Sequence, residues 1–243
     1  MTNALFIGLS KRIPLPKEGG FLYIDDEVPE VARSRIFDPR EHCFNPLKGI
    51  TYENARMLAN VIYTAYPQGE TTLTVRNGRI DLVPVLRQGT RFDKLKVYSE
   101  EVARLVGDIL ESPVLRRVLC TDAPFSFNPR SRILARINRA ELAEFDAKVL
   151  AFMLMAHFRG TVIVPDFGFY GREAHMPLLR QNRLIAGVNF LDEVPRELRN
   201  ALLLVKDKHA SGATVEDAET LAKYARKRRD TMGYNDFIDD ATA

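Results

Sequence analysis

A carboxylate directly after an apolar run is the first feature of this sequence that could do chemistry. Val162-Ile163-Val164 leads through Pro165 into Asp166. A β-branched run of this kind predicts a central strand of a parallel sheet, and α/β proteins place their ligand sites at the carboxyl ends of such strands. A carboxylate in that position commonly holds Mg²⁺ beside a nucleotide. Asp166 is therefore a candidate catalytic residue, and a structural role in capping the following loop is the alternative.

The loop that usually cradles the phosphates of a nucleotide is missing. That loop, G-x-x-x-x-G-K-[ST], needs glycines for a tight turn and a lysine for the terminal phosphates, and the dipeptide Gly-Lys occurs nowhere in the chain. Ser10 and Lys11 follow a strand-like run and are the candidate cofactor-binding residues. Pro14 and Pro16 exclude the helix whose N-terminus would bind phosphate. We therefore expect no bound cofactor, and ATP with Mg²⁺ would bind only through a divergent site.

Arginines indicate two further kinds of contact. Arg183 precedes an apolar run and could reach a phosphate of a neighbouring subunit as an arginine finger, although most such arginines are solvated. Two arginine clusters could bind nucleic acid. The second cluster comes late in a segment that starts with acids, and this order also suits an ordinary helix end. The candidate nucleic-acid-binding residues are Arg130, Arg132, Arg136, Arg226, Arg228 and Arg229.

Composition excludes several classes of protein. Apolar residues make up 46% of the 243 residues, which argues against wholesale disorder, and no apolar run is long enough for a membrane span. Cys43 and Cys120 are far apart and the four histidines are scattered, so a zinc cluster or disulfide scaffold is not expected. Residues 25–27 and 192–193 are acidic and could bind a metal, but acidic turns are commoner. The start of the chain lacks a signal peptide, and we expect a cytoplasmic protein.

The order of apolar patterns predicts an α/β fold. Strands are expected at residues 5–8, 21–24, 35–37, 133–137, 161–164 and 184–188, and helices at 51–67, 99–112, 140–158 and 196–205 and from 214. This alternation predicts a mostly parallel sheet with flanking helices. We expect an α/β core from residues 1–50 and 120–229, a helical insertion at 51–119, and a flexible tail at 230–243.

Three segments, taken in order, can be compared with a known family. Phe37-Asp38-Pro39 leads into the stretch 44–47, which reads FNPL, and residues 162–171 read VIVPDFGFYG. Residues 179–188 form an L…R…G stretch that leads into the next strand. These segments resemble the HerA–FtsK group of DNA-pumping ATPases, especially the coupling proteins of conjugation systems. The resemblance implies a P-loop NTPase-like fold and places the helical insertion where that family carries an all-α domain.

The sequence departs from that family where hydrolysis is performed. The phosphate loop is absent, Pro165 replaces the metal-holding acid, and the family's sensor glutamine falls near Asp192 and Glu193. We therefore expect a degenerate homologue without catalysis, serving as a DNA- or partner-binding component of a mobile-element transfer, packaging or replication system. The implied partners are DNA, an active ATPase or another protein, and further copies of the chain. A divergent ATPase using Lys11 and Asp166, or a purely structural or regulatory module, are the alternatives.

Overall fold

Seven strands form one sheet in the computed structural model, which describes residues 3–7, 13–65, 82–121, 124–170, 183–188, 193–194 and 203–206. The strands are β1 (Ala4–Ile7), β2 (Phe21–Asp25), β3 (Ser34–Phe37), β4 (Arg132–Arg136), β5 (Thr161–Val164), β6 (Arg183–Val188) and β7 (Leu203–Lys206). Their order across the sheet is β3-β4-β2-β5-β6-β1-β7, and every neighbouring pair is parallel. The predicted α/β class with a parallel sheet is confirmed for the described strands.

Both faces of the central strands of the sheet are buried, as a parallel sheet requires. In β2, Leu22 and Ile24 point into the larger apolar cluster, which also contains the helices. Phe21 and Tyr23 alternate with them and point into a smaller cluster on the other face. This alternation follows from the two-residue period of a strand. The apolar, β-branched strands are therefore held from both sides.

The helices cover the face with the larger cluster. They include α1 (Tyr52–Ala65), α2 (Glu100–Glu111), α3 (Pro113–Cys120), α4 (Glu144–His157) and the short α5 (Phe167–Tyr170), with further helical residues at 82–86 and a 3-10 turn at Phe92–Lys94. Helix α4 is buried on nearly all sides, as its continuous apolar sequence predicts. It packs against α1, where Asn54 donates a hydrogen bond to the carbonyl oxygen of Ala156 at 3.3 Å. None of the described helices has the length and apolarity needed to cross a bilayer.

Three predicted elements differ from the structure. Ser112 and Pro113 end α2 as expected, but they also begin α3, because the Ser112 hydroxyl accepts from the Leu115 amide and proline suits the first turn. Helix α4 begins at Glu144 rather than at residue 140, after a turn. The predicted helix over 196–205 is wrong at 203–205, since those residues belong to β7, which pairs with β1. A short apolar run is compatible with a helix or a strand, and here pairing with β1 selects the strand. The helix predicted from residue 214 and the tail lie outside the described residues.

Candidate functional site

β2 and β5 are neighbours in the sheet, and from their ends the chain runs toward opposite edges of the sheet. After β2 it continues toward β3 on one side of the sheet, and after β5 it continues to β6 on the other. A reversal of this kind opens a crevice beyond the carboxyl ends of the strands, where α/β proteins bind ligands. Asp25 ends β2, Asp26 follows it, and Asp166 lies two residues beyond β5. We call Asp25, Asp26, Asp166, Arg139 and Tyr170 the carboxyl-edge cluster.

Arg139 bridges two of the three carboxylates. Its Nε donates to Asp26 Oδ2 at 2.7 Å, its Nη2 lies 2.6 Å from the same oxygen, and its Nη1 donates to Asp166 Oδ2 at 2.7 Å. Its backbone N–H donates to Asp26 Oδ1 at 3.1 Å. The guanidinium also lies 4.6 Å from the ring centroid of Phe169, a favourable cation–π distance. Because Arg139 comes shortly after β4, it ties the ends of β4, β2 and β5 together.

Tyr170 is the most deeply buried member of the cluster. Its ring is fully buried, and its hydroxyl lies against the Asp26 carboxylate and 2.6 Å from the carbonyl oxygen of Ile137. The single hydroxyl proton can be donated to one of these acceptors at a time. Burial, with the hydrogen bond and charge of Asp26, raises the pKa of Tyr170 well above its usual value. The hydroxyl therefore stays protonated and fixes helix α5 to the edge of the sheet.

Asp25 and Asp26 are neighbours with opposite pKa shifts. Burial opposes ionisation of Asp26, but hydrogen bonds from Arg139 and Tyr170 outweigh it and lower its pKa. Burial raises the pKa of Asp25 to about 6, and the negative charges of Asp26 and Asp166 add to that rise. The Asp25 carboxylate accepts the Asp26 backbone N–H at 2.9 Å, and the Tyr23 hydroxyl donates to it at 3.4 Å. Arg139 thus pairs with two carboxylates, whose combined charge exceeds its own, and leaves Asp25 outside its ion pairs.

Two glycines allow the loop after β5 to lie close against β6 and the residues beyond it. A Cβ on Gly187 would clash with the carbonyl oxygen of Pro165, and a Cβ on Gly168 would clash with the carboxylate of Glu193. Glu193, near which the resemblance places the family's sensor residue, therefore lies beside α5.

The structure separates the two predicted catalytic residues within one chain. Asp166 lies at the carboxyl edge, whereas Arg183 begins β6 beside Thr161, at the amino edge of the same sheet. The arginine-finger hypothesis requires a neighbouring subunit, so it stays a prediction. β6 and β1 are a second pair of neighbouring parallel strands from which the chain runs in opposite directions across the sheet. Ser10 and Lys11 follow β1 there but lie outside the described residues, as do Arg226, Arg228 and Arg229.

The described candidate nucleic-acid-binding arginines do not form one surface. Arg132 and Arg136 lie at opposite ends of β4. Arg132 donates to the carbonyl oxygens of Lys17 at 2.7 Å and Ala32 at 3.4 Å, so it ties loops together at the amino edge. The Arg136 guanidinium lies 3.9 Å from Asp38. Arg130 is exposed in a turn before β4.

The FNPL segment at residues 44–47 is part of the core. Phe37, Phe44 and Leu47 are buried, and the rings of Phe37 and Phe44 meet edge-on with centroids 5.6 Å apart. The Asn45 side chain accepts the Leu47 amide at 2.9 Å and donates to the carbonyl oxygen of Gly89 at 3.2 Å. This segment therefore joins β3 to the helical insertion and contributes to structure rather than to the carboxyl-edge cluster.

A second aspartate–arginine arrangement lies between β3 and the FNPL segment, and we call it the Asp38 turn. Asp38 is nearly fully buried, and Arg40 donates to it from Nη2 at 2.7 Å, from Nε at 3.0 Å and from its backbone N–H at 2.9 Å. Arg40 also pairs with Glu141 at 2.5 Å. The hydrogen bond from Arg40 lowers the pKa of Asp38 despite burial.

No family model matches this chain, and no curated protein matches it. Among the residues that the structure describes, no group of three or more His, Cys, Asp or Glu side chains is arranged to hold a metal ion. The geometry therefore supplies the strongest functional signal. That signal comes from Arg139 and Tyr170, which the sequence analysis did not select as site residues. The position of Arg139 shortly after a predicted strand was the available hint.

Proposed function

We propose that this chain is a P-loop NTPase-like relative of the HerA–FtsK group that has lost catalysis. It serves as a DNA- or partner-binding component of a DNA transfer, packaging or replication system. The strand before Ser10 and Lys11 and the strand before Asp166 are separated by β6 alone. In a nucleotide-binding relative with this strand order, a phosphate loop after the first of these strands and an acid after the second would lie at the same edge of the sheet, as a nucleotide site requires. The observation that carries the loss of catalysis is the position of Arg139.

Arg139 supplies internally the positive charge that a metal would supply. Mg²⁺ binds through carboxylate oxygens and their hydrogen-bonded waters. Here Asp166 Oδ2 accepts from Arg139 at 2.7 Å, and Asp26 is held by the same guanidinium. Arginine is effectively always protonated, so it does not leave the carboxylates by losing its proton. The acid at the end of β5 is thus neutralised by the chain itself.

Position 165 supports the same conclusion. Pro165 stands where the resemblance expects the metal-holding acid, and proline has no side-chain ligand atom. Its carbonyl group packs against Gly187, which leaves no space for a Cβ at that position. The backbone around Asp166 is therefore fixed by packing. Phosphoryl transfer depends on positioning and charge stabilisation, and position 165 supplies no second acid next to Asp166 in the sequence.

For a protein that has lost catalysis, we propose a binding role. Arg132 and Arg136 lie at opposite ends of β4 and each contacts oxygen atoms of this chain, so the two do not present one basic surface. The described part of the chain therefore favours a protein partner, such as an active ATPase subunit, over DNA. Further copies of the chain are a second protein partner, and Arg183 would then be the residue available from a neighbour.

The deciding experiment is a thermal-melt titration with millimolar Mg-ATP on wild type, Asp166→Ala and Glu27→Ala. Glu27 is an exposed carboxylate close to the cluster in sequence and serves as the control. Ligand binding to the folded state raises Tm by mass action, and we expect no rise in any of the three proteins. A rise in wild type and Glu27→Ala that Asp166→Ala abolishes would overturn the proposal in favour of a divergent ATPase.

The binding role has a separate test. Mobility shifts with single- and double-stranded DNA at low salt detect phosphate contacts, which are strongest at low ionic strength. Sedimentation of the purified chain, alone and with an active ATPase of the HerA–FtsK group, detects protein contacts. We expect association with such an ATPase or with further copies of the chain. Inert behaviour in both assays would overturn the binding role and leave the structural module.

A further inference from the structure

The carboxyl-edge cluster contains one more negative charge than its ion pairs accommodate. Arg139 pairs with Asp26 and Asp166, and each N–O distance is 2.7 Å or less. Among the described residues, Asp25 has no Lys or Arg within ion-pair distance. Its carboxylate accepts one backbone N–H and a long hydrogen bond from Tyr23. A half-buried carboxylate in this setting is costly to ionise.

Every element around Asp25 contributes a charged or titratable group. Tyr23 and Asp26 lie on its own strand and the turn after it, Arg139 comes from the segment after β4, and Asp166 and Tyr170 come from the segment after β5. The two carboxylates repel a charge on Asp25, and Arg139 attracts it less strongly than they repel it together. Ionisation of Asp25 therefore opposes the arrangement that Arg139 holds.

We propose that Asp25 is a protonation switch for this edge of the sheet. With a proton on the Asp25 carboxyl, Arg139 holds Asp26 and Asp166 and ties the three strand ends together. When Asp25 ionises, Asp26 and Asp166 repel its charge, and the loops after β2, β4 and β5 loosen. The switch is independent of whether a nucleotide binds, so it goes beyond the proposed function.

The direction of the pH effect follows from the pKa of Asp25. Its pKa is about 6 in the folded chain and near 3.8 when unfolded, so the folded chain binds the proton more tightly. The stabilisation is fully present below pH 3.8 and is lost as the pH rises through about 6. The edge is therefore tighter in mild acid and looser at neutral and alkaline pH.

The test compares wild type, Asp25→Asn and Glu27→Gln across the pH range from 4.5 to about 8, which spans the Asp25 pKa of about 6. Asparagine keeps the shape and the acceptor for the Asp26 amide but cannot ionise, whereas Glu27→Gln removes an exposed carboxylate from the same turn. The readouts are Tm and hydrogen exchange at the Arg139 amide, which donates to Asp26, corrected for intrinsic exchange. For wild type we expect more than about tenfold greater opening at the alkaline end, because the pKa shift from 3.8 to about 6 exceeds one unit and each unit is a tenfold effect.

Asp25→Asn should abolish that change and melt above wild type at alkaline pH, while Glu27→Gln should behave as wild type. Asp146 and His157 also have shifted pKa values, so the difference between wild type and Asp25→Asn isolates the effect of Asp25. If Asp25→Asn keeps the wild-type pH profile of exchange at Arg139, the switch is wrong. If Asp25→Asn is destabilised at every pH with an unchanged profile, Asp25 is a structural residue only.

Discussion

The carboxyl-edge cluster and the Asp38 turn both pair aspartate with arginine, but they are assembled differently. In the Asp38 turn, Arg40 is two residues from Asp38, and its side chain is 47% exposed. In the carboxyl-edge cluster, Arg139 is 113 residues from Asp26 and 27 from Asp166, and its side chain is 33% exposed. The first closes a turn through local contacts. The second joins three strands that are distant in the chain.

This difference determines how much stability is lost when each arginine is removed. Without Arg40, Asp38 keeps a hydrogen bond from a backbone N–H and has Arg136 at 3.9 Å. Without Arg139, Asp26 keeps Tyr170 and a backbone N–H, but Asp166 loses the ion pair that fixes it. Substitution of a long-range bridging residue therefore destabilises several elements at once. The predictions below use matched variants in the two regions.

The largest effect is expected for Arg139→Ala. It leaves two partly buried carboxylates without their counter-charge, and we expect a loss of about 2 kcal/mol, between the values typical of exposed and buried pairs. Arg40→Ala should lose clearly less stability, because Arg40 is more exposed and Asp38 keeps other partners. Urea denaturation of both variants measures the contrast. Equal losses would remove the distinction between the two regions.

Tyr170→Phe is expected to have the next largest effect. The ring stays in place, but Asp26 and the Ile137 carbonyl group lose their contact with the hydroxyl. Loss of one such hydrogen bond costs about 1 kcal/mol. Tyr52→Phe is the control, since Tyr52 is 54% exposed and its hydroxyl can bond to water. A denaturation midpoint unchanged in both variants would show that the Tyr170 hydroxyl does not stabilise the edge.

Removal of Arg139 should also create a weak response to divalent cations. In Arg139→Ala, Asp26 and Asp166 have no internal counter-charge, and millimolar Mg²⁺ should restore less than about 1 kcal/mol of stability. Wild type and Arg40→Ala should show no shift in thermal melts with Mg²⁺ relative to the same ionic strength of NaCl. A comparable shift in wild type would mean that Arg139 does not stand in for a cation.

The smallest effect is one in which the two regions should agree. Asp26 and Asp38 both have pKa values below the usual 3.8, so each contributes stability that is present above that pH and lost as the pH falls through the lowered value. Asp26→Asn and Asp38→Asn should each flatten the acid limb of a stability curve below pH 3.8. Asp25 acts in the separate window up to about pH 6. An acid limb that neither variant changes would assign acid unfolding to other groups.

The strands could be predicted well because their residues are apolar on both faces. Runs such as Val162–Val164 have strand length and β-branched side chains, which distinguish a buried strand from a loop. Helix α3 was missed because Ser112 and Pro113 were taken as an ending alone, although the same pair suits a beginning. β7 was assigned to a helix because leucine-rich runs lack a distinguishing period.

The candidate site could be predicted only in part. Asp166 and the acidic pair after β2 are visible as carboxylates that follow strands, and the structure brings them together. Their partner Arg139 was visible only as one arginine in a cluster, since the sequence does not show that β4 and β5 flank β2. Arg183 was selected by its position near a strand, but the direction of that strand puts it at the opposite edge. Strand order is set by long-range packing, and local patterns do not encode it.

The position of β1 has a consequence for how the chain is made. β1 lies between β6 and β7, with Ala4 beside Ile185 on one side and Leu203 on the other. Among the seven described strands, β1 is synthesised before its partners β6 and β7, so both hydrogen-bonding edges of β1 stay unpaired until those two strands have been made. Such apolar edges invite association with other nascent chains. Completion of the sheet must wait for the last strands, and nascent-chain protection by chaperones would matter most for this first strand.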